Sequence, residues 1–146
     1  MKLEIKKLTS KEVGEFIELI SMFEDVFEMK EFKVTPQSHL QKVLERNAFF
    51  VFIALRDDVL VGGLTAYAME QYYSTLPLIY VFDLAVKTDH QRQGIGKQLM
   101  AGIVKYAREN GFEEVFLQAD KVDEYAVDFY RSTGAVEEQV IHFYYR

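Results

Sequence analysis

Asp83 is the only polar residue in the run Ile-Tyr-Val-Phe-Asp-Leu-Ala-Val at 79–86. A run of that length and apolarity reads as a strand buried on both faces. A carboxylate inside it is costly unless it meets a cation, a water chain or a backbone donor. Two roles stay open for Asp83: base or ligand for an amine, and a strand carboxylate bonded to backbone amides. After a short polar loop, Gln91-Arg92-Gln93-Gly94-Ile95-Gly96 opens a helix. Its two glycines let the backbone approach a ligand and aim successive N–H groups at one spot. The positive end of the helix dipole lies at the same place. Together they make an anion site, most naturally for phosphate. Arg92 and Lys97 stand near enough to add positive charge, or are solvated charges and nothing more.

The spacing is Q-x-x-G-x-G. A dinucleotide fingerprint would need a third glycine where Leu99 stands, and the P-loop pattern G-x-x-x-x-G-K-[ST] is absent. After a strand and before a long amphipathic helix, the pattern resembles the acetyl-CoA-binding signature of the GCN5-related N-acetyltransferase (GNAT) superfamily. The resemblance implies that backbone amides of residues 91–96 hold the coenzyme A pyrophosphate. It implies that backbone groups of Leu84, Ala85 and Val86 pair with the pantetheine arm as a pseudo-strand. Ala126-x-x-x-Tyr130-x-x-x-Gly134 matches the segment whose tyrosine faces the coenzyme sulfur, which makes Tyr130 the expected acid. A phenol of pKa about 10 lies close enough to a thiol to give it a proton. Simple packing is the other reading of Tyr130 in a chain with nine tyrosines. Acyl transfer from a thioester to an amine needs a deprotonated amine, a stabilised carbonyl oxygen and a protonated leaving thiolate. It needs no covalent enzyme intermediate, so a chain without cysteine can do it.

A narrower likeness covers segments spread over the chain. Residues 22–28 (MFEDVFE), 61–67 (VGGLTAY), 79–86, 117–120 (LQAD), 123–126 (DEYA), Phe129-Tyr130 and 140–143 (VIHF) are similar to the aminoglycoside 3-N-acetyltransferases of the gentamicin-modifying type. The resemblance implies a cleft in which acidic residues hold a polycationic amino-sugar by charge-assisted hydrogen bonds. Glu24, Asp25, Glu28, Asp83, Asp120 and Asp123 are the candidates, and some of the first three must face away on an amphipathic helix. Phe82 stands where the group tends to have tyrosine, Tyr125 replaces its proline, and Tyr72 and Tyr73 thicken a loop near the cleft. A polyamine, a modified sugar or a peptide or protein amine is the alternative acceptor. A non-catalytic acyl-CoA-sensing module is the alternative function. Asp83 would take the amine proton directly or through water. His142 belongs to the same resemblance, but a lone strand histidine is more often structural. No metal-ligand spacing occurs.

The elements that must position these residues fit one domain over 1–146. Hydrophobic residues make up 49%, cysteine is absent, and the net charge is −6 at a pI of about 5.1. An acidic surface argues against nucleic acid and anionic membranes as partners and is compatible with a cationic small-molecule amine. No apolar run approaches the roughly 20 residues of a membrane span, and the first residues lack a signal-peptide core, so a cytoplasmic enzyme is expected. Periodicity predicts a strand at 3–8 and a helix capped by Thr9 or Ser10, with Val13, Phe16, Ile17, Ile20, Phe23 and Phe27 on its apolar face. It predicts a second helix from Thr35-Pro36 to about Arg46, a hairpin of strands 48–55 and 59–69, and Gly62-Gly63 as a bulge or close approach. The strand at 79–86 follows, with Val81 and Ala85 sharing the face of Asp83. Then come a helix with Ile95, Leu99, Ile103 and Ala107 inward, a strand at 114–120, a helix at 125–131 and a last strand at 140–145. The expected class is α/β (α+β): a mixed, mostly antiparallel sheet with helices on both faces. The apolar last strand suits a homodimer, or equally a well-filled core.

Overall fold

The computed structural model describes residues 2–146. Its elements are β1 (Leu3–Lys7), α1 (Val13–Val26), α2 (Gln37–Leu44), β2 (Phe49–Arg56), β3 (Val59–Met69), β4 (Leu78–Val86), α3 (Ile95–Glu109), β5 (Glu114–Phe116) and α4 (Glu124–Ser132). The strands form one sheet in the order β1-β2-β3-β4-β5. Pairing is antiparallel from β1 through β4 and parallel between β4 and β5. Helices cover both faces, as the element order predicts.

Two cores follow from the two faces. On one side Phe50, Phe52, Val61, Leu64, Val81 and Val86 pack against Ile95, Leu99, Ile103 and Ala107 of α3. All four helix positions picked out by the 3.6-residue period are buried. On the other side Val51, Ile53, Leu60 and Ala85 pack against Phe16, Leu19, Met22 and Phe23 of α1 and Leu40 and Leu44 of α2. Phe27, expected on the apolar face, is half-exposed because α1 has already ended at Val26.

Gly63 sets how close α1 lies to the sheet. A Cβ built there would fall 2.5 Å from Leu19 Cδ1 and 2.9 Å from the Phe52 carbonyl oxygen. Gly62 is similarly close, 3.0 Å from the Ala85 carbonyl oxygen. The adjacent glycines are therefore close approaches, with a register shift opposite them at Ala54/Leu55.

Local differences from expectation have local causes. Glu12, not Thr9 or Ser10, stands at the start of α1: its Oε1 accepts from the Thr9 N–H at 2.8 Å and its carboxylate pairs with Lys6. The ion pair fixes Glu12 there, and Thr9 gives its own N–H to the same carboxylate. α2 begins after Pro36, whose carbonyl accepts from His39 and Leu40; Pro36 itself is extended at ψ 139°, so Thr35 lies too far out to cap. The strand expected at 114–120 stops at Phe116, where β4 and the following chain part. The strand expected at 140–145 does not form: residues 135–146 join no strand ladder and are exposed. A strand needs a neighbour to satisfy its backbone, and this segment lies against none.

Gly63→Ala should cost about 1–3 kcal/mol of unfolding free energy, the range for overpacking against atoms that cannot yield. Gly14, in α1 with nothing within 4 Å of its built Cβ, should gain about 0.5–1 kcal/mol as alanine. Denaturant titration with an unchanged slope checks both.

Candidate active site

The anion loop joins β4 to α3. From Val86 the chain makes one 3-10 turn at Thr88–His90, extends at Gln91, turns left-handed at Arg92 (φ +60°) and again at Gly94 (φ +85°), and enters α3. Gln91 ties the loop back, its Nε2 donating to the Val86 carbonyl at 3.0 Å. Arg56, at the end of β2, donates to Gln93 Oε1 and lies 3.2 Å from His90 Nδ1. The first intrahelical bond of α3 runs from the Gln98 N–H to the Gly94 carbonyl at 3.1 Å. The amides of Ile95, Gly96 and Lys97 therefore have no helical acceptor. Left-handed turns followed by free amides make a concave anion seat, and the donor set fits a phosphate.

The two glycines do different work. Gly94 is needed for its positive φ. Gly96 is needed for packing: a Cβ there would lie 2.9 Å from the Phe129 ring, so α4 seats directly on the start of α3. Arg92 lies over the Tyr125 ring at 5.2 Å, a second link from the loop to α4. Lys97 is exposed.

Next to the loop the sheet opens. β4 and β5 pair over three residues only, Leu78–Tyr80 with Glu114–Phe116. Val81 and residues 83–86 of β4 pair with β3, and residues 81–86 have no ladder partner on the β5 side. Backbone groups of Leu84, Ala85 and Val86 thus border a gap that an extended, amide-bearing ligand could fill.

A bulge aims Asp83. Thr65 pairs with Asp83 and Ala66 with Val81, so Phe82 is an extra residue in β4. The bulge slips the alternation by one. Val81, Leu84 and Val86 face the α3 core, while Asp83, opposite Thr65 and then Val51, faces the α1 side with Ala85. The simple alternation that joined Val81 to the face of Asp83 is therefore corrected. Asp83 is half-buried and has no hydrogen-bond or ion-pair partner among the described residues, and burial pushes its carboxyl above the ordinary carboxylate range. The reading that backbone amides hold it is not what the geometry shows.

Tyr130 comes from the other side. It packs against the α3 core and edge-on against Phe129 at 5.0 Å between ring centres. Its hydroxyl is pushed up to about 12, first by burial, then by the charges of Asp83 and Asp123. Phenol and carboxylate therefore meet electrostatically across the gap.

The other carboxylates divide. Glu24 and Asp25 line an open cleft of about 850 Å³ with Glu18 of α1, with Glu28 just past its end, and with Lys87, Thr88 and Asp89 of the anion loop. This is the C-terminal end of α1, where the helix dipole is negative, and its last turn holds no basic residue. Glu28 ends the helix in a left-handed conformation (φ +51°), and the Met29 N–H caps the Glu24 carbonyl at 3.0 Å. Asp123 instead caps α4, its Oδ1 accepting from the Ala126 N–H at 3.1 Å. Asp120 is exposed, its Oδ1 accepting from Val122 at 3.3 Å. Neither lines the acidic cleft. Tyr72 and Tyr73, with rings 4.5 Å apart, line a separate concavity in the β3–β4 loop, so the expected thickening falls outside this cleft. His142 is exposed beside Tyr144. Among the described residues no three His, Cys, Asp or Glu side chains converge as metal ligands would. No helix among them is long and apolar enough to cross a membrane.

Sequence reasoning missed Arg56, Glu18 and Asp89. Arg56 reads as part of a hairpin turn, and only the fold brings it to residues 90–93.

Residues 16–135 match the acetyltransferase (GNAT) family. An aminoglycoside acetyltransferase from an uncultured soil metagenomic sample, solved in complex with sisomicin, is 56% identical. It superposes with a TM-score of 0.97 over 99% of this chain and 95% of its own. A second aminoglycoside acetyltransferase from an uncultured soil sample is 30% identical, with a TM-score of 0.93 over 100% of this chain and 99% of its own. Human N-acetyltransferase 8 is 30% identical over 90 residues, which is 62% of this chain and 39% of that protein. The chain matches well under half the length of such curated relatives. The family match spans the anion loop, the open strand edge and Tyr130, and this chain belongs to the acetyltransferase (GNAT) family.

Proposed function

We propose that the chain is a cytoplasmic enzyme that moves the acetyl group of acetyl-CoA to an amine of a polycationic amino-sugar, with the 3-amino group of a gentamicin-type aminoglycoside as the acceptor. One observation carries the reading: an anion seat and a cleft whose carboxylates outnumber its one cation, Lys87, share the wall 87–89. A donor rich in phosphate and an acceptor rich in ammonium groups want those two fields side by side. The soil relative's complex with sisomicin points the same way.

When bound, the coenzyme supplies the acetyl thioester; the rest falls to this chain. The amides of Ile95, Gly96 and Lys97, held by Gln91 and Arg56, bind the pyrophosphate. The free edge at Leu84, Ala85 and Val86 takes the pantetheine arm. Glu24 and Asp25, with Glu28 and Asp89, hold ammonium groups of the acceptor. Asp120 and Asp123 lie apart, and Asp123 acts by ordering α4 and adding negative charge near Tyr130. Asp83 accepts the amine proton, directly or through water. Its raised pKa makes it a stronger base than an ordinary carboxylate. Tyr130 keeps its proton on Oη up to pH about 12 and offers it to the leaving thiolate.

Free-thiol release from acetyl-CoA, measured with gentamicin, kanamycin, spermidine and a lysine peptide, tests the reading. Release with gentamicin and a mass gain of one acetyl is expected; turnover on spermidine or the peptide alone would overturn the acceptor. Tyr130→Phe should lower kcat about 100-fold, within the range for a lost general acid, with acetyl-CoA affinity unchanged by calorimetry. Asp83→Asn should lower turnover yet raise the melting temperature at pH 7. The folded-state pKa of Asp83 is raised, so its charge opposes folding at neutral pH, and that penalty is lifted as pH falls through the folded pKa. The amide removes the penalty at every pH. In the unsubstituted enzyme the acid limb of the rate profile should lie above the ordinary carboxylate range, and no basic limb should come from Tyr130 below pH about 12.

A further inference from the structure

A row of aromatic rings crosses the sheet on the side that Asp83 faces. Phe49, Tyr67, Tyr80 and Phe116 stand on β2, β3, β4 and β5, each in register with the next. Ring centres lie 5.1 Å apart for Phe49 and Tyr67 and 5.0 Å apart for Tyr80 and Phe116. Phe82, the extra residue of the β4 bulge, stands beside this row, edge-on to Tyr67 at 5.9 Å and to Tyr80 at 6.2 Å. Phe49 is buried against Phe16 of α1, and there the helical cover ends. Of β4, Ala85 alone joins the core under α1 and α2 among the described residues. Phe82 is 58% exposed and Tyr67 40%. Aromatic surface held in place and left bare is a contact surface. Asp83 follows Phe82 directly and points to the same face.

We propose that Tyr67, Tyr80 and Phe82 form a platform on which a saturated ring of the acceptor lies flat, with the amine of that ring over Asp83, and that the platform selects a ring-borne amine over a linear polyamine. The inference rests on the amino-sugar reading above and narrows it. Aromatic faces carry negative charge. A ring bearing ammonium groups has C–H bonds polarised positive, so it meets the platform with complementary charge as well as area. An ammonium group beside an aromatic face is attracted to it directly. A linear polyamine offers ammonium groups to the carboxylates but no flat face to the rings. An apolar patch of a protein would cover the rings yet leave the Asp83 carboxylate buried without a cation, which is costly. The bulge makes the arrangement possible. It sets Phe82 and Asp83 side by side on one face of a strand whose alternation would otherwise part them.

The test separates the KM for gentamicin from the KM for acetyl-CoA in the full-length protein. Phe82→Leu keeps an apolar side chain and removes the flat face. It should raise the gentamicin KM about 5–10-fold, the scale of one aromatic contact, and leave the acetyl-CoA KM unchanged. Phe82→Tyr restores the face and should restore the KM. Spermidine, used as a competitor of gentamicin, should inhibit the unsubstituted protein and Phe82→Leu with the same Ki. An unchanged gentamicin KM in Phe82→Leu would overturn the platform and leave the amino-sugar reading standing. A spermidine Ki that rises in step with that KM would overturn it too, because the whole cleft would then be disturbed. Turnover on spermidine alone by the unsubstituted protein would overturn both the platform and the reading beneath it. If Phe82→Leu does not fold, Tyr67→Leu decides by the same comparison.

Discussion

β4 and β5 pair over only three residues, and most of what can bind or react here depends on that short ladder. A longer ladder would seal the edge at Leu84–Val86 and leave no approach between Asp83 and Tyr130. The parting has a sequence of causes. β5 is short, the chain turns away after Phe116, and α4 is drawn onto α3 where Gly96 admits the Phe129 ring. The Phe82 bulge then rotates Asp83 out of the α3 core and onto the other face. Sheet, bulge and helix contact are separate local events, yet together they set one carboxylate and one phenol on either side of one gap.

Electrostatics divides the region around the gap. The N-terminus of α3 presents free amides and the positive end of its dipole. The C-terminus of α1 presents the negative end, and the residues there are carboxylates with no basic neighbour in the last turn. Acidic residues at a helix C-terminus oppose the dipole by about 0.3–1 kcal/mol each. A fold carrying several of them there is less stable than it could be, the usual mark of a site held for a ligand. The left-handed Glu28 adds backbone strain at the same place.

Much of this was legible in the sequence. The helix face of Ile95, Leu99, Ile103 and Ala107, the hairpin, the glycine pair in β3 and the anion loop all follow from local pattern, because period and turn chemistry are local. The features that were not legible depend on partners far along the chain. Nothing near Gly96 says that Phe129 will lie over it, and nothing near Arg56 says that Gln93 will meet it. A bulge such as Phe82 leaves the composition of its strand unchanged while reversing which side chains face where. Asp123 could be read for charge, but its use as a helix cap depends on where α4 begins. The segment at 140–145 has a strand's composition and no strand's geometry, since composition does not supply a neighbour.

The acidic end of α1 has a consequence for the medium around the protein. An open cleft lined by carboxylates draws mobile cations from solution, and with a screening length of about 8 Å at physiological ionic strength they gather at its wall. A polyvalent guest arriving there displaces a small crowd of monovalent ones, and their release into bulk solution favours its entry. The same exchange makes that entry a competition. In a cell, dissolved magnesium and other multivalent cations set the background against which any acceptor must be recognised.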